Sequence, residues 1–261
     1  MRYIARNLEK VVLEVTKEYP VVLVTGPRQV GKTTMLQKLM EGTDRNYVSL
    51  DDLNERNLAK TDPEMFLQLH KPPILIDEVQ YAPELFVYIK IHVDKYHNAG
   101  DFWLTGSQVF KLMSGIQESL AGRVAVLSLT SLSQAEICGG EMQPFTLDIE
   151  ELSARRKERT KADTGVIFDR IFRGSMPAIV SEKNSNSQIF YSSYLTTYIE
   201  RDVRELSDAI DSLKFLHFIT AVAARCGQIL NIAEIARDAD INQKQAKNWL
   251  GILETLGIIF Y

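Results

Sequence analysis

Cysteine is nearly absent: the 261 residues carry two, Cys138 and Cys226. No disulfide framework can be built from them and neither lies in a CxxC, so they read as small core residues in a reducing cytoplasm. Histidine is also scarce, and His70, His92, His97 and His217 show no metal-ligand spacing. No apolar run approaches the roughly 20 residues that span a bilayer, which leaves no membrane partner to expect. The opening Met1-Arg2-Tyr3-Ile4-Ala5-Arg6 lacks a signal-peptide core, because Glu9 and Lys10 interrupt it. An excess of one charge is missing too. Against 30 Lys+Arg stand 34 Asp+Glu, a net charge of −4. Nucleic-acid contact would need a local patch.

What is present is an ordinary globular balance, 45% hydrophobic and 25% charged. That is enough apolar area to offset ordering entropy and exclude disorder as the main state. At 261 residues the chain sits where one core gives way to two, so two domains are expected.

Apolar positions Ile4, Leu8, Val11, Val12 and Val15 share one helical face, which predicts an opening helix within the first eighteen residues. Pro20 ends it. Short β-branched runs then alternate with helical stretches: Val21–Thr25, Tyr47–Leu50, Ile74–Asp77, Phe102–Thr105 and Val124–Leu129. Such alternation predicts an α/β fold with a parallel sheet covered on both faces. After Leu132 the pattern turns helical, with Ile167–Phe172, Tyr191–Leu206, Leu213–Arg225 and the 230–256 region as helices. The charged stretch Glu150–Asp163 predicts an exposed link or insertion.

The first strand runs into Gly26-Pro27-Arg28-Gln29-Val30-Gly31-Lys32-Thr33, which satisfies G-x-x-x-x-G-K-[ST], and a helix over Thr33–Met40 follows. Glycines let the backbone curl so that successive N–H groups face phosphate oxygens. Thr34 continues the run, Lys32 reaches the β- and γ-phosphates, and the Thr33 hydroxyl ligates Mg²⁺. A second strand, Ile74-Leu75-Ile76, ends in Asp77 and Glu78. Asp77 is placed to hold the Mg²⁺ water shell and Glu78 to polarise an attacking water, the role an NTP hydrolase needs. A third strand end carries Thr105 and Ser107. Ser107, with Thr105 as the alternative, either senses the γ-phosphate or caps the next helix.

These residues resemble the AAA-type ATPases, and more narrowly a bacterial and archaeal family in which an AAA domain precedes a C-terminal domain of unknown function. The matching strings are Thr25 to Thr34, Ile76-Asp77-Glu78-Val79-Gln80, Leu104-Thr105-Gly106-Ser107 and Leu120-Ala121-Gly122-Arg123. Gly174-Ser175-Met176-Pro177 and Tyr198 to Val203 also resemble family signatures, with Ser175 where the family pattern has glycine. Residues 228–257 read, from their own apolar pattern, as a helix-turn-helix of winged type, and the chain divides into an AAA-type ATPase domain over 1–145, a helical linker or lid over 146–225 and the winged-helix-like unit over 226–261. The ligands expected are ATP and the Mg²⁺ that Thr33 and Asp77 are placed to hold. The resemblance implies a P-loop sheet of order 5-1-4-3-2 and a hydrolase or switch driven by ATP. It further implies that relatives continue beyond Tyr261 into a nuclease-like domain, in keeping with the apolar end Gly257 to Tyr261.

Arg123 resembles an arginine finger acting on a neighbour's nucleotide, which implies a homo-oligomer. The alternative is an arginine paired with a surface carboxylate. Arg201, between Glu200 and Asp202, reads as a structural ion pair, with a second sensing role as the alternative. In the tail, Leu230, Ile232, Ile235 and Ala236 form one apolar face. Asn242 caps a second helix whose inner side is Ala246, Trp249, Leu250 and Leu253, and Gly257 ends it. Gln243, Lys244, Lys247 and Asn248 on its outer side suit DNA contact. Glu234, Asp238 and Asp240 nearby suit a packing or interaction module instead.

Overall fold

Alternation along each strand sends neighbouring side chains to opposite faces, and the buried residues follow it. The computed structural model describes residues 3–107, 116, 119–140, 142–158, 163–181, 186–199 and 211–260. Strands β1 (Val21–Thr25), β2 (Asn46–Ser49), β3 (Ile74–Asp77), β4 (Phe102–Gly106) and β5 (Val124–Ser128) form one parallel sheet in the order β2-β3-β4-β1-β5. Read from its other edge, this is the 5-1-4-3-2 order that the resemblance implies. Val21 pairs in register with both Phe102 and Val124, and Ile74 with Asn46 and Phe102. Thr25, Ser49, Asp77, Gly106 and Ser128 therefore end on one edge of the sheet.

Val21, Leu23, Ile74, Ile76, Phe102 and Leu104 face one core. It is closed by α3 (Leu53–Thr61), α4 (Pro63–Leu69) and α5 (Leu85–Tyr96) through Ala59, Phe66, Leu85, Phe86, Ile89 and Val93. Val22, Val24, Leu75 and Trp103 face the other side. There α1 (Leu8–Val15) and α2 (Lys32–Met40) supply Val12, Met35 and Leu36. Truncating a core anchor such as Phe66 to Ala would cost about 3–5 kcal/mol. The joint between α3 and α4 is set locally. Asp62 caps α4 by accepting from the Met65 N–H, and Pro63 opens it with a preset φ.

The opening helix is shorter than its pattern predicts. Ile4 lies outside α1 and Val11 is exposed. The cause is Arg6, whose buried guanidinium bonds the carbonyls of Val30, Thr130 and Ser131 and so holds residues 3–7 against two loops.

Beyond β5 come α6 (Gln134–Ile137), α7 (Ile149–Glu158), α8 (Thr164–Arg173), α9 (Pro177–Val180) and α10 (Ser187–Tyr194). A π-helical turn over Leu195–Ile199 follows, then α11 (Ser212–Ala223), α12 (Ile232–Asp238) and α13 (Gln243–Thr255). The described part of the segment read as an exposed link is largely exposed, but it includes helix α7, supported by a Glu151–Arg155 pair at i,i+4. Phe215 and Phe218 of α11 meet the Trp249 ring of α13 edge-on at 5.2 and 5.3 Å. Ile235, Ala236, Leu250 and Leu253 complete this third core, which draws on residues either side of position 225. Met176 packs against both it and the α1–α2 face of the sheet.

Asn242 caps α13 through the Gln245 N–H. Gly257, at φ +68°, ends it: its own N–H reaches the Glu254 carbonyl and the Ile258 N–H the Leu253 carbonyl, a Schellman closure. Two expectations fail here. Leu230 is exposed, because helix α12 begins only after its cap Asn231. Cys138 and Cys226 are both exposed, sitting at or just beyond helix ends and not in a core. The 200–203 string with Arg201, and Tyr261, lie outside the described residues. Among those described, no helix is long and apolar enough to cross a membrane.

Candidate phosphate-binding site

The β1–α2 loop is fixed by its contact with the chain leaving β5. At Gly26, φ is +140° and a Cβ would fall 2.0 Å from the Leu129 carbonyl oxygen, so only glycine fits there. Gln29 and Gly31 also take positive φ, at 62° and 92°. Curled this way, the loop delivers the chain into the N-terminus of α2, where unpaired N–H groups and the helix dipole favour an anion. Lys32 is 6% exposed, and its ammonium donates to the carbonyls of Gly26 at 3.0 Å and Pro27 at 2.8 Å. Thr34 is exposed on the same helix.

Across the loop, β3 presents Asp77, also 6% exposed. The Thr33 hydroxyl donates to its Oδ1 at 2.7 Å, the Thr105 hydroxyl donates to the same oxygen, and Tyr47 donates to Oδ2 at 3.3 Å. Burial and the neighbouring Asp77 carboxylate push the Tyr47 phenol above its ordinary pKa. Glu78 follows with φ 56°, a left-handed conformation for a residue with a Cβ. Its N–H donates to Thr105 Oγ1, while its Oε2 accepts from the Gln80 side-chain amide and, at 3.5 Å, from Ser107 Oγ. Lys32, Thr33, Asp77, Glu78, Thr105 and Ser107 thus share the edge where the strands end.

Arg123 lies elsewhere. It precedes β5, at the opposite edge of the sheet, and its guanidinium forms a bidentate pair with Asp94 of α5. That pair holds the Asp94 carboxyl below its ordinary range through the hydrogen bonds from Arg123.

Several participants gave little sign of themselves in the sequence. Arg6 joins the loop to Glu136 at 3.2 Å, and Glu136 also accepts from the Asn7 and Ser133 N–H groups. Burial works to raise the Glu136 carboxyl, but those N–H groups and the Arg6 charge outweigh it and leave it below its ordinary value. Beside this network opens a cavity of about 1000 Å³, lined in part by Arg6, Asn7, Glu136, Cys138 and Ser181. Among the described residues, Asn7 Nδ2 and Ser181 Oγ are buried without a hydrogen-bond partner. From the helical part, the Tyr194 hydroxyl donates to the Arg28 carbonyl at 3.2 Å, and a Cβ on Gly257 would lie 2.9 Å from Pro27 Cγ. Ser175 uses its hydroxyl, donating to Ser131 Oγ at 2.9 Å. A hydrogen-bonding residue close in sequence to a motif is legible; one that arrives from 100 or more residues away is not.

Parallel sheet, curled loop and strand-end carboxylates together define a P-loop ATPase fold of the AAA type. Residues 18–138 match the AAA domain family, and residues 165–261 match a domain of unknown function. Uncharacterised proteins of Mycobacterium tuberculosis and Mycobacterium bovis are each 30% identical to it over 236 residues, which is 90% of this chain and 47% of theirs. The chain thus spans about half the length of these curated relatives. Among solved structures it resembles a Walker-type ATPase of Pyrococcus abyssi, with a TM-score of 0.59, 14% identity, and coverage of 95% of this chain and 88% of that one.

Proposed function

We propose that the protein binds ATP at the β1–α2 loop and hydrolyses it with Mg²⁺, and that the helical part responds to what the loop holds. The observation that carries this reading is the convergence on Asp77. A hydroxyl and a carboxylate side by side, Thr33 and Asp77 at 2.7 Å, are the hard oxygen donors that suit Mg²⁺. Those two residues would hold the ion, which when bound neutralises charge on the phosphoryl oxygens. Lys32 and the loop N–H groups take the phosphates. Glu78, one residue past Asp77, accepts the proton of the attacking water. Ser107 lies within reach of Glu78 and senses the γ-phosphate. Arg123 serves a neighbouring copy's site, because it sits on the far edge of the sheet from its own loop. The cavity beside Arg6, lined in part by Asn7 and Ser181, takes the base.

Coupling to the helical part runs through Tyr194 on Arg28 and Gly257 on Pro27. Nucleotide binding and phosphate release by the purified protein test the reading. Glu78→Gln should keep ATP binding and suppress hydrolysis, since the amide preserves shape and loses the base. Absence of Mg²⁺-dependent ATP binding in the parent protein would sink the proposal.

A second reading takes helices α12 and α13 as a winged-helix-like helix-turn-helix, supported by Gln243, Lys244, Lys247 and Asn248 exposed at the start of its second helix. Here the protein is a nucleotide-gated switch or DNA-binding regulator with little turnover. Tight ATP retention with DNA affinity supports it; steady turnover that rises with protein concentration supports an oligomeric ATPase.

A further inference from the structure

Gln80 sits two residues past Glu78, in the tight turn Val79–Tyr81 that carries the chain away from β3. It is 6% exposed, a rare place for a primary amide. Its neighbours fix the turn on both sides. Val79 is fully buried in the main core, and the Arg56 guanidinium lies 4.0 Å over the Tyr81 ring. The amide is therefore mounted on rigid backbone, and its Nε2 donates to Glu78 Oε2.

The other half of the same amide is unsatisfied. Among the described residues, Gln80 Oε1 is buried and has no hydrogen-bond partner. A buried acceptor left unpaired is a net cost to folding, one that an apolar side chain of the same length would avoid. Holding an amide here makes sense only if its donor half does something that outweighs the orphaned oxygen. What it touches is the carboxylate read above as the base. Both the Gln80 amide and the Ser107 hydroxyl donate to Oε2, which fixes the carboxylate plane. Glu78 itself takes a left-handed φ of 56°, so its backbone is held by its surroundings and not by its own preference.

We propose that Gln80 is a positioning residue for hydrolysis: its side-chain amide holds the Glu78 carboxylate in the orientation that accepts a proton from the attacking water. The proposal rests on the reading of Glu78 as the base. A misplacement of about 1 Å at a reacting group can cost about 10²-fold in rate, which sets the scale of the effect.

Gln80→Met is the test, because methionine keeps the length and removes both the donor and the orphaned acceptor. Three readouts separate the outcomes. ATP affinity, measured by titration of a fluorescent ATP analogue with Mg²⁺, should stay within about twofold, whereas kcat should fall roughly tenfold to a hundredfold. The thermal midpoint should hold or rise, since an unsatisfied buried group has been removed, and a structural role would lower it. In Glu78→Gln/Gln80→Met, turnover should be no lower than in Glu78→Gln alone, because a residue acting through Glu78 has nothing left to position.

Parent-level kcat in Gln80→Met, or losses that multiply in the double variant, overturns the proposal. So does a Gln80→Met chain that fails to fold while Gln80→Leu folds and turns over normally; if neither folds, the amide is structural and the proposal is equally overturned. The failure of the underlying reading looks different. It is a Glu78→Gln protein that hydrolyses ATP at the parent rate, or a parent protein that binds ATP without turnover.

Discussion

The phosphate loop is gripped from two sides, and the two grips differ in kind. On the α/β side it is held by a buried guanidinium with four protein partners, Val30, Thr130, Ser131 and Glu136, and by the Gly26–Leu129 contact, which admits no Cβ. On the helical side the contacts among the described residues include a neutral hydrogen bond, Tyr194 to Arg28, and the van der Waals approach of Gly257 to Pro27. Charge-assisted buried bonds are roughly twice as strong as neutral ones, and breaking a buried pair leaves an uncompensated charge. The buried charged contacts on the α/β side are thus costly to break. The neutral Tyr194–Arg28 bond is weak enough for a ligand in the loop to change it. A coupling device needs one such asymmetric joint.

The largest effect should come from emptying the grip of its purpose. Lys32→Ala should abolish ATP binding, because the ammonium that offsets phosphate charge is 6% exposed and a buried vacancy cannot replace it. A fluorescent-nucleotide titration checks this. Retained affinity would mean that the loop N–H groups alone hold the phosphates.

Arg123 comes next and sharpens the comparison by lying outside both grips. Its pair with Asp94 is solvent-exposed, and pairs of that kind contribute little, so the guanidinium can leave Asp94 for a neighbour at small cost. Arg123→Ala should leave ATP affinity almost unchanged and lower turnover by about 10³–10⁵, and only where the protein self-associates. Mixing it with Lys32→Ala should restore part of the activity, since an intact pocket can then face an intact finger. No recovery in assemblies shown to contain both variants would leave Arg123 a structural partner of Asp94.

A smaller effect tests the strong grip directly. Glu136 has its pKa lowered in the folded protein, so its ionisation contributes stability that is fully present above the unfolded value of 4.5 and is lost as pH falls through the folded value. Glu136→Gln keeps the shape and removes the charge that answers Arg6. It should destabilise the protein at neutral pH by roughly 1–3 kcal/mol, the cost of a charged hydrogen bond made worse. The deficit should shrink as pH drops below about 4.5. Denaturant midpoints measured from pH 3 to pH 7 decide it: a deficit independent of pH would show that the carboxylate charge is not what holds Arg6.

Which of these features the sequence disclosed follows from distance along the chain. The loop, its helix and the strand-end pair Asp77–Glu78 are contiguous strings whose chemistry is local, and each of the five strand runs falls within about a residue of its observed position. Helices α12 and α13 were legible for the same reason, since Asn242 and Gly257 are end signals that act within one turn. Arg6 was invisible because its partners lie 24 to 130 residues away, and its own neighbours make a plausible helical face. Tyr194 is 9% exposed, and the spacing of Tyr191 and Tyr194 on one helix says nothing of a hydroxyl aimed at Arg28, 166 residues earlier. The exposed cysteines failed for the complementary reason. Residue type predicts average burial, whereas Cys138 and Cys226 sit where helices stop.

The smallest expected effect bears most directly on the weak grip. Tyr194→Phe removes one hydroxyl and leaves the ring, which packs in the third core beside the Phe190 ring at 6.1 Å. A neutral hydrogen bond of this kind contributes about 0.5–1.5 kcal/mol. Two outcomes are then distinguishable by sign. If the Tyr194–Arg28 bond belongs to the nucleotide-free arrangement and must break when phosphates enter, Tyr194→Phe should tighten ATP binding by a few-fold. If the bond persists in the bound state, affinity should stay the same and only the thermal midpoint should fall. The first sign is the expected one, because Lys32 already bonds the Gly26 and Pro27 carbonyls on the flank that Arg28 continues, and phosphates that draw Lys32 away must shift the same backbone. Amide hydrogen exchange along α10 in the parent protein provides the independent measure. Protection there should fall on adding ATP with Mg²⁺, and Tyr194→Phe should show the lower protection before any nucleotide is added. Unchanged affinity together with unchanged exchange would mean that the helical part is fixed to the loop as firmly as the α/β part is, and that the joint does not move.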